Sequence, residues 1–587
     1  MSNSFIAEAF NAKHLKDEFI AKSFVPSQLF FQTAKYGHTI LVGPRGSGKT
    51  TFLRMLSNSM GPHLKTNYLL ESLEHTHYEG IYVPGDLVWG EMMRSLSEAG
   101  IDQQTAESFA YSAFVTHILL NVIESIDVYI NRIQSTKFDI NEDDFFYSLS
   151  SICKLLKLKP EKVSLSRIKS ELILVLSSLG EYSRFLSIYG TEKFSKEEFE
   201  KKALYAYIDL PMTLDSIFNF IDDALNRKEQ RWTILLDEFE IAPTYLLLKV
   251  LNSMRSSAKK VTFKVALVPC GLHQEVQNEI SSINDYTVVE LWYIRKGDSD
   301  KFCRGLLRSR FNITFPEKKL GMAKYGITQS GNADKWINAF DELYSKDLSF
   351  KKYIDGKKLD YRKELTEGRA SSTVRKIAPL VAFRNAFINQ KGKRKGRKAP
   401  TEFYSGWDAI STISEGNPRW LLSVMSPFAE SENKIRDTEQ IREVKRSTSS
   451  YCAMLKTLPI CNNMGLNTKQ PVFKLLEQIG TYFNYCLIEG DFKVSPPGTF
   501  KVDKNIPEDM QSALMIAWNF GAIVSVESSI TFGTYSSLEG MRFRLSHLLS
   551  PEFELNLATG KAVNLSTILD FETNAKKRMT TAQGDLF

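Results

Sequence analysis

The run His38-Thr39-Ile40-Leu41-Val42-Gly43-Pro44-Arg45-Gly46-Ser47-Gly48-Lys49-Thr50-Thr51-Phe52-Leu53-Arg54-Met55-Leu56 decides how the rest of the chain is read. It enters on β-branched and apolar residues, crosses glycines 43, 46 and 48, and leaves with Phe52, Met55 and Leu56 at helical spacing. Glycines let successive backbone N–H groups turn inward on phosphate oxygens at a helix start. A strand, a glycine loop and a helix are the context in which GxxxxGK[ST] reads as a P-loop. Gly43, Pro44, Arg45, Gly46, Ser47, Gly48, Lys49, Thr50 and Thr51 are therefore candidate nucleotide-binding residues. Lys49 would reach the β/γ-phosphates of ATP, and the Thr50 hydroxyl would ligate Mg2+.

Four further apolar runs, Gly80 to Val83, Trp232 to Leu236, Phe263 to Val268 and Thr287 to Leu291, are separated by segments long enough to carry helices. Five such strands predict an α/β fold of P-loop type, with a parallel sheet covered on both faces. Between the glycine loop and the third strand, Gln103 to Gln134, Asn141 to Leu158 and Val163 to Leu186 carry 3.6-type apolar spacing with almost no Gly or Pro. A helical insertion at about 101–210 is expected. The third strand ends in Leu235-Leu236-Asp237-Glu238-Phe239-Glu240. Paired with a P-loop, Asp237 falls near the metal and Glu238 beside the γ-phosphate, where a carboxylate polarises water for in-line attack. Glu240 is read as solvated.

Composition narrows the class. Of 587 residues, 43% are hydrophobic and 24% charged, which fits several folded domains and excludes a disordered chain. The longest apolar stretches, such as Phe114 to Ile126, are broken by polar residues and read as short of a membrane span, and Met1 to Leu15 lacks the apolar core of a signal peptide. A cytoplasmic protein without a membrane partner is expected. The six cysteines form no CxxC pair and read as core thiols. Net charge is +7, but Lys351 to Lys398 alone holds 16 Lys/Arg against 4 Asp/Glu, so the basicity is local. Within it, Lys391, Lys393, Arg394, Lys395, Arg397 and Lys398 predict a mobile basic loop at 391–400. It either neutralises nucleic-acid phosphates or is a solvated connector.

Gly416-Asn417-Pro418-Arg419-Trp420 completes the pattern: Asn417 can cap a helix, Pro418 suits its first position, and Arg419 projects from its start. With GPRGSGKT, LLDEFE and GNPR in this order, the chain resembles bacterial ORC/Cdc6-like AAA+ ATPases and the related STAND ATPases. That resemblance implies a helical lid at 312–440 after an ATPase core at 1–311. It also implies a winged-helix-like domain at 441–587, to which two helices (Val472 to Leu487, Pro507 to Phe520) and two β-like runs (Ala522 to Val526, Met541 to Leu545) correspond. It makes Arg419 a sensor of the γ-phosphate, lets Phe24 to Ser27 pack either near adenine or in the core, and makes Arg310 in Ser309-Arg310-Phe311 a trans-acting finger. Arg295, Arg304 and Arg308 are weaker candidates, because Asp298 to Phe311 also reads as a lid helix. The chain departs from the family at Val268-Pro269-Cys270-Gly271, which lacks the Asn or Thr usual at sensor 1.

Thr136-Lys137-Phe138-Asp139 precedes the acidic motif and so does not serve guanine recognition, and Leu176 to Gly180 is a poor imitation of an ABC signature. Two readings stand. One is an Mg-ATP-dependent switch, a homo-oligomer or partner of an effector protein, in antiphage defence or at DNA. The other is a DNA-binding initiator, loader or transposition regulator whose assembly ATP controls. A small-molecule kinase explains neither Arg419 nor the C-terminal segment.

Overall fold

The computed structural model describes residues 12, 15–64, 78–134, 141–227, 229–256, 258–270, 286–292, 296–321, 333–395, 402–458, 460–461, 467–468, 472–504, 506–526 and 538–571. Two compact units result. The first comprises Met1–Gly43 and Gly48–Leu291, the second Pro44–Ser47, Trp292–Thr531 and Tyr535–Phe587. Thr136 to Asp139, Gly271, Arg295, Arg397 and Lys398 lie outside the described residues.

The first unit is built on five parallel strands: β1 (Thr39–Val42), β2 (Glu79–Pro84), β3 (Trp232–Asp237), β4 (Val261–Leu267) and β5 (Thr287–Glu290). The order is β2-β3-β4-β1-β5, so the strand that enters the glycine loop lies between β4 and β5. Every residue of β1, β3 and β4 is buried, as a parallel sheet covered on both faces requires. Beneath β1, Phe24, Phe30 and Phe52 pack edge to face, with the Phe24 and Phe30 centroids 4.6 Å apart. Phe24 is thus a core residue, and Ser27 caps the helix Gln28–Ala34 by accepting from Phe30 N at 3.3 Å.

The insertion is helical over Gln103–Gln134, Glu142–Leu155 and Leu165–Tyr189. The first of these helices corrects an expectation. It has 32 residues and a window of mean hydropathy 1.5, long and apolar enough to cross a membrane by length and composition. Its apolar residues instead meet protein: Phe109, Phe114, Ile118, Val122 and Ile126 are fully buried, and the helix packs on Val88–Glu98 and Leu165–Tyr189. Of the polar residues that interrupt the run, Glu124 is exposed and His117, Asn121 and Ser125 are half-buried, while Thr116 is buried and its hydroxyl donates to Ser112 O at 2.7 Å.

In the second unit, helices Lys296–Phe311, Trp407–Ser414 and Pro418–Met425 pack together, and a second cluster centres on Phe340, Phe350, Val381 and Phe387. Helices Val472–Ile488 and Glu508–Asn519 accompany a sheet of β8 (Pro497–Lys501), β9 (Ile523–Ser525), β10 (Arg542–Leu545) and β11 (Lys561–Asn564), the short β6 (Ile460–Cys461) and β7 (Asn467–Thr468) pairing separately. In that sheet, β10 runs antiparallel to β8 and β9, and β11 is parallel to β8. Residues 391–395 form a hydrogen-bonded turn where a mobile loop was expected. Asn389 N donates to Lys393 O at 2.8 Å and Lys395 N to Phe387 O at 2.8 Å. Arg394 is tied by bonds to Asn484 Oδ1 at 2.6 Å and to Glu554 Oε2 at 2.6 Å, with Glu489 at 3.0 Å. Lys391 and Lys393 face solvent.

Candidate nucleotide site

In the first unit the site forms at the carboxyl ends of the parallel strands, where open α/β sheets place their ligands. The buried strand β1 delivers Gly43, whose N–H donates to Leu267 O at 3.1 Å and so fixes the start of the loop against β4. At the far end Gly48 adopts φ 99°, a conformation that favours glycine, and caps the helix Lys49–Met55. Lys49 is buried, and its Nζ donates back to Gly43 O at 2.6 Å. The ammonium is thereby held inside the turn of the loop.

Asp237 ends β3 and is 1% exposed. Its Oδ2 accepts from the Tyr82 hydroxyl at 2.7 Å. Burial raises its pKa, while the Tyr82 and Thr50 hydroxyls and the Lys49 charge pull it back and Glu238 adds to the rise. Thr50 is therefore beside the carboxylate, although Asp237 Oδ1 finds no partner in good hydrogen-bond geometry among the described residues. A buried carboxylate oxygen without a donor, next to a threonine hydroxyl, suits Mg2+, a hard cation that takes oxygen ligands and keeps several waters. Among the described residues no group of three or more His, Cys, Asp or Glu is disposed to hold a metal. Thr50 and Asp237 would have to share the ion with phosphates and water.

Glu238 follows at φ 50°, left-handed for a non-glycine, so the chain turns sharply as it leaves the strand. It is half-buried. The turn is braced by Gly85, where a Cβ would come within 2.9 Å of both Asp237 O and Glu238 O. Only glycine lets the end of β2 approach this closely. At the sensor 1 position Val268 is buried, and burial pushes the Cys270 thiol up, so it offers no ready thiolate.

In the second unit the middle of the loop is gripped by backbone and ring contacts. Arg45 N donates to Asn519 O at 3.0 Å, and its guanidinium lies over the Phe520 ring, 4.7 Å from the centroid. Asn417 Oδ1 caps the helix Pro418–Met425 by accepting from Arg419 N at 3.0 Å, while its Nδ2 donates to Arg45 O at 3.3 Å. At Gly46, with φ 85°, a Cβ would meet Asn417 Oδ1 at 3.0 Å, Arg419 Cβ at 3.1 Å and Arg419 Cδ at 3.3 Å. Arg419 thus packs on Gly46. Glu415 and Gly416, both at positive φ, shape the approach, and Glu415 is anchored by His547 N at 2.9 Å and by Arg544. Ser47 Oγ is buried without a partner among the described residues.

The remaining arginines separate. Arg304 is engaged by Asp300 at 2.7 Å and by Glu317, with Trp407 beneath it, which makes it a tie within the unit. Arg308 is exposed. Arg310 is half-buried, and burial lowers its pKa to about 10. It sits on a helix that packs against Pro418–Met425. Sequence reasoning overlooked Tyr82, Gly85 and Asn519. Tyr82 and Gly85 come to Asp237 through the pairing of β2 with β3, a register no local motif announces.

The ORC-CDC6-like family model matches residues 6–565. No match was found among curated proteins.

Proposed function

Because the chain belongs to the ORC-CDC6-like family, and with it to the AAA+ nucleotide-binding ATPases, we propose that it is an ATP-binding and hydrolysing molecular switch. The observation that carries this reading is the convergence of Lys49, Thr50 and Asp237, with one buried Asp237 oxygen lacking a donor in good hydrogen-bond geometry among the described residues. The family generally uses ATP with Mg2+. Gly43 to Thr51 hold the triphosphate through main-chain amides, and Lys49 neutralises its terminal phosphates. Thr50 and Asp237 would hold the ion, which would supply charge neutralisation for the triphosphate. Glu238 orients water and accepts its proton. Arg419, packed on Gly46, reads the γ-phosphate. A ligand shifts a conformational equilibrium only by its difference in affinity between states, and this contact supplies the difference. Arg310 acts in trans if the active form is an oligomer.

The setting is cytoplasmic, in antiphage defence or at DNA, with a partner chain supplying any further output. The second reading, an initiator or loader that ATP assembles on DNA, is favoured by the exposed Lys391 and Lys393, and the helices Val472–Ile488 and Glu508–Asn519 with the C-terminal sheet would serve it as a winged-helix-like module. Arg394 contributes little to it, being engaged within the protein. The test is ATP binding and phosphate release by the purified chain, with its mass measured with and without a slowly hydrolysed analogue. Glu238→Gln should keep binding and lose turnover by about 10²-fold or more. Arg419→Ala should keep binding but abolish the analogue-dependent change in mass. Wild-type turnover in Glu238→Gln would overturn the assignment. Duplex binding that weakens steeply with salt would favour the DNA reading.

A further inference from the structure

Asp237 raises a question of orientation that the P-loop does not answer. A carboxylate turns about a broad, nearly two-fold torsion, so burial alone does not decide which oxygen faces a ligand. Tyr82 decides it. The parallel register sets Tyr82 opposite Leu235 and Pro84 opposite Asp237, so the Tyr82 ring lies one pleat below the carboxylate and its hydroxyl reaches up to Oδ2 at 2.7 Å. The ring is fixed by packing against the cluster that contains Phe52 and Leu53, the helix that carries Lys49 and Thr50. A phenol facing a carboxylate donates, and such a charge-assisted bond is stronger than one between neutral groups. With Oδ2 taken, Oδ1 is left buried with no donor in good hydrogen-bond geometry among the described residues.

We propose that Tyr82 is a positioning residue that holds the Asp237 carboxylate with Oδ1 directed to the Mg2+ of the bound nucleotide complex. The inference rests on the reading of Thr50 and Asp237 as the metal's protein partners. Groups that orient a metal ligand from behind commonly change metal affinity by about 10- to 100-fold when removed. Tyr82 would therefore act on the coupling between metal and nucleotide and leave the affinity for the triphosphate itself alone.

The experiment measures dissociation constants of the full-length chain for a fluorescent, slowly hydrolysed ATP analogue, once in excess Mg2+ and once in EDTA. Wild type should bind more tightly with metal. Tyr82→Phe keeps the ring and its packing, so its EDTA constant and melting temperature should stay near wild type while the Mg2+ concentration for half-maximal tightening rises about tenfold. Mn2+ retained with nucleotide, followed by electron paramagnetic resonance, should fall in the same variant. Coupling in Tyr82→Phe within twofold of wild type, or equal losses with and without metal, would overturn the proposal. Asp237→Asn separates the two levels. If it abolishes the coupling while Tyr82→Phe does not, only the role of Tyr82 falls. If wild type and Asp237→Asn are alike with and without metal, the site reading falls first.

Discussion

Two lysines are buried near opposite ends of β1, and their surroundings differ in kind. Lys264, on β4 at the amino end, is fully buried and donates to Lys35 O at 2.7 Å, Gly37 O at 3.2 Å and Thr39 Oγ1 at 3.2 Å, with the Tyr78 ring 5.5 Å away. Its three donors are matched by three oxygens of the fold itself. Lys49, at the carboxyl end, turns to a carbonyl of its own glycine loop in a unit where a buried Asp237 oxygen has no donor in good hydrogen-bond geometry among the described residues. A buried amine whose hydrogen-bonding is met by the fold closes a structure. A buried cation beside unsatisfied oxygen chemistry is prepared for a ligand. The difference teaches that burial of charge is not a functional signal until the polar inventory around it has been counted.

The comparison breaks most visibly in nucleotide binding. Lys49→Ala should weaken ATP binding by 100-fold or more, about 3 kcal/mol or above, whereas Lys264→Met should leave affinity within twofold; titration with a fluorescent analogue reads both. Equal losses would mean that the two ends are not functionally distinct. Gly85→Ala should follow in size. Its Cβ meets backbone oxygens of Asp237 and Glu238 that cannot rotate away, so the strand ends must part, with a stability loss of about 1–3 kcal/mol and a fall in turnover. Thermal melting and phosphate release would register it.

The smallest expected effect is a pH slope. Burial lowers Lys264 from its ordinary 10.5 to about 7. Between those values the unfolded chain binds the proton and the folded chain does not, so stability rises as pH goes from about 7 toward 10.5 and is lost as pH falls back. Lys264→Met should remove up to about 1.4 kcal/mol per pH unit from that slope. Denaturant midpoints at pH 7 and pH 9 would measure it, and identical slopes in both proteins would remove the amino-end half of the contrast.

The five strands of the first unit were legible because each is a short apolar run bounded by polar or glycine-containing segments, and the long insertion helices because their apolar period is unbroken. Strand β8 escaped because Pro497-Gly498 reads as a turn, and β11 because Lys561 to Asn564 carries too few apolar side chains to mark a face. The glycine loop, Asp237, Glu238 and Arg419 could be named from local motifs. The contacts made by Arg394 could not: its neighbours Asn484, Glu489 and Glu554 are 90 or more positions away, and in sequence it is one cation in a basic run.

By itself, then, the sequence determined what is local: which segments bury apolar faces, where glycine permits positive φ at 46 and 48, and which residues bring a hydroxyl, a carboxylate or a cation. Tertiary structure alone decided what those groups face. The β2–β3 register brought Tyr82 and Gly85 to Asp237, the helix cap at Asn417 set Arg419 on Gly46, and backbone carbonyls saturated Lys264. The physical reason is that hydrogen-bond satisfaction and desolvation depend on partners far apart in the chain, and no local pattern encodes their distance.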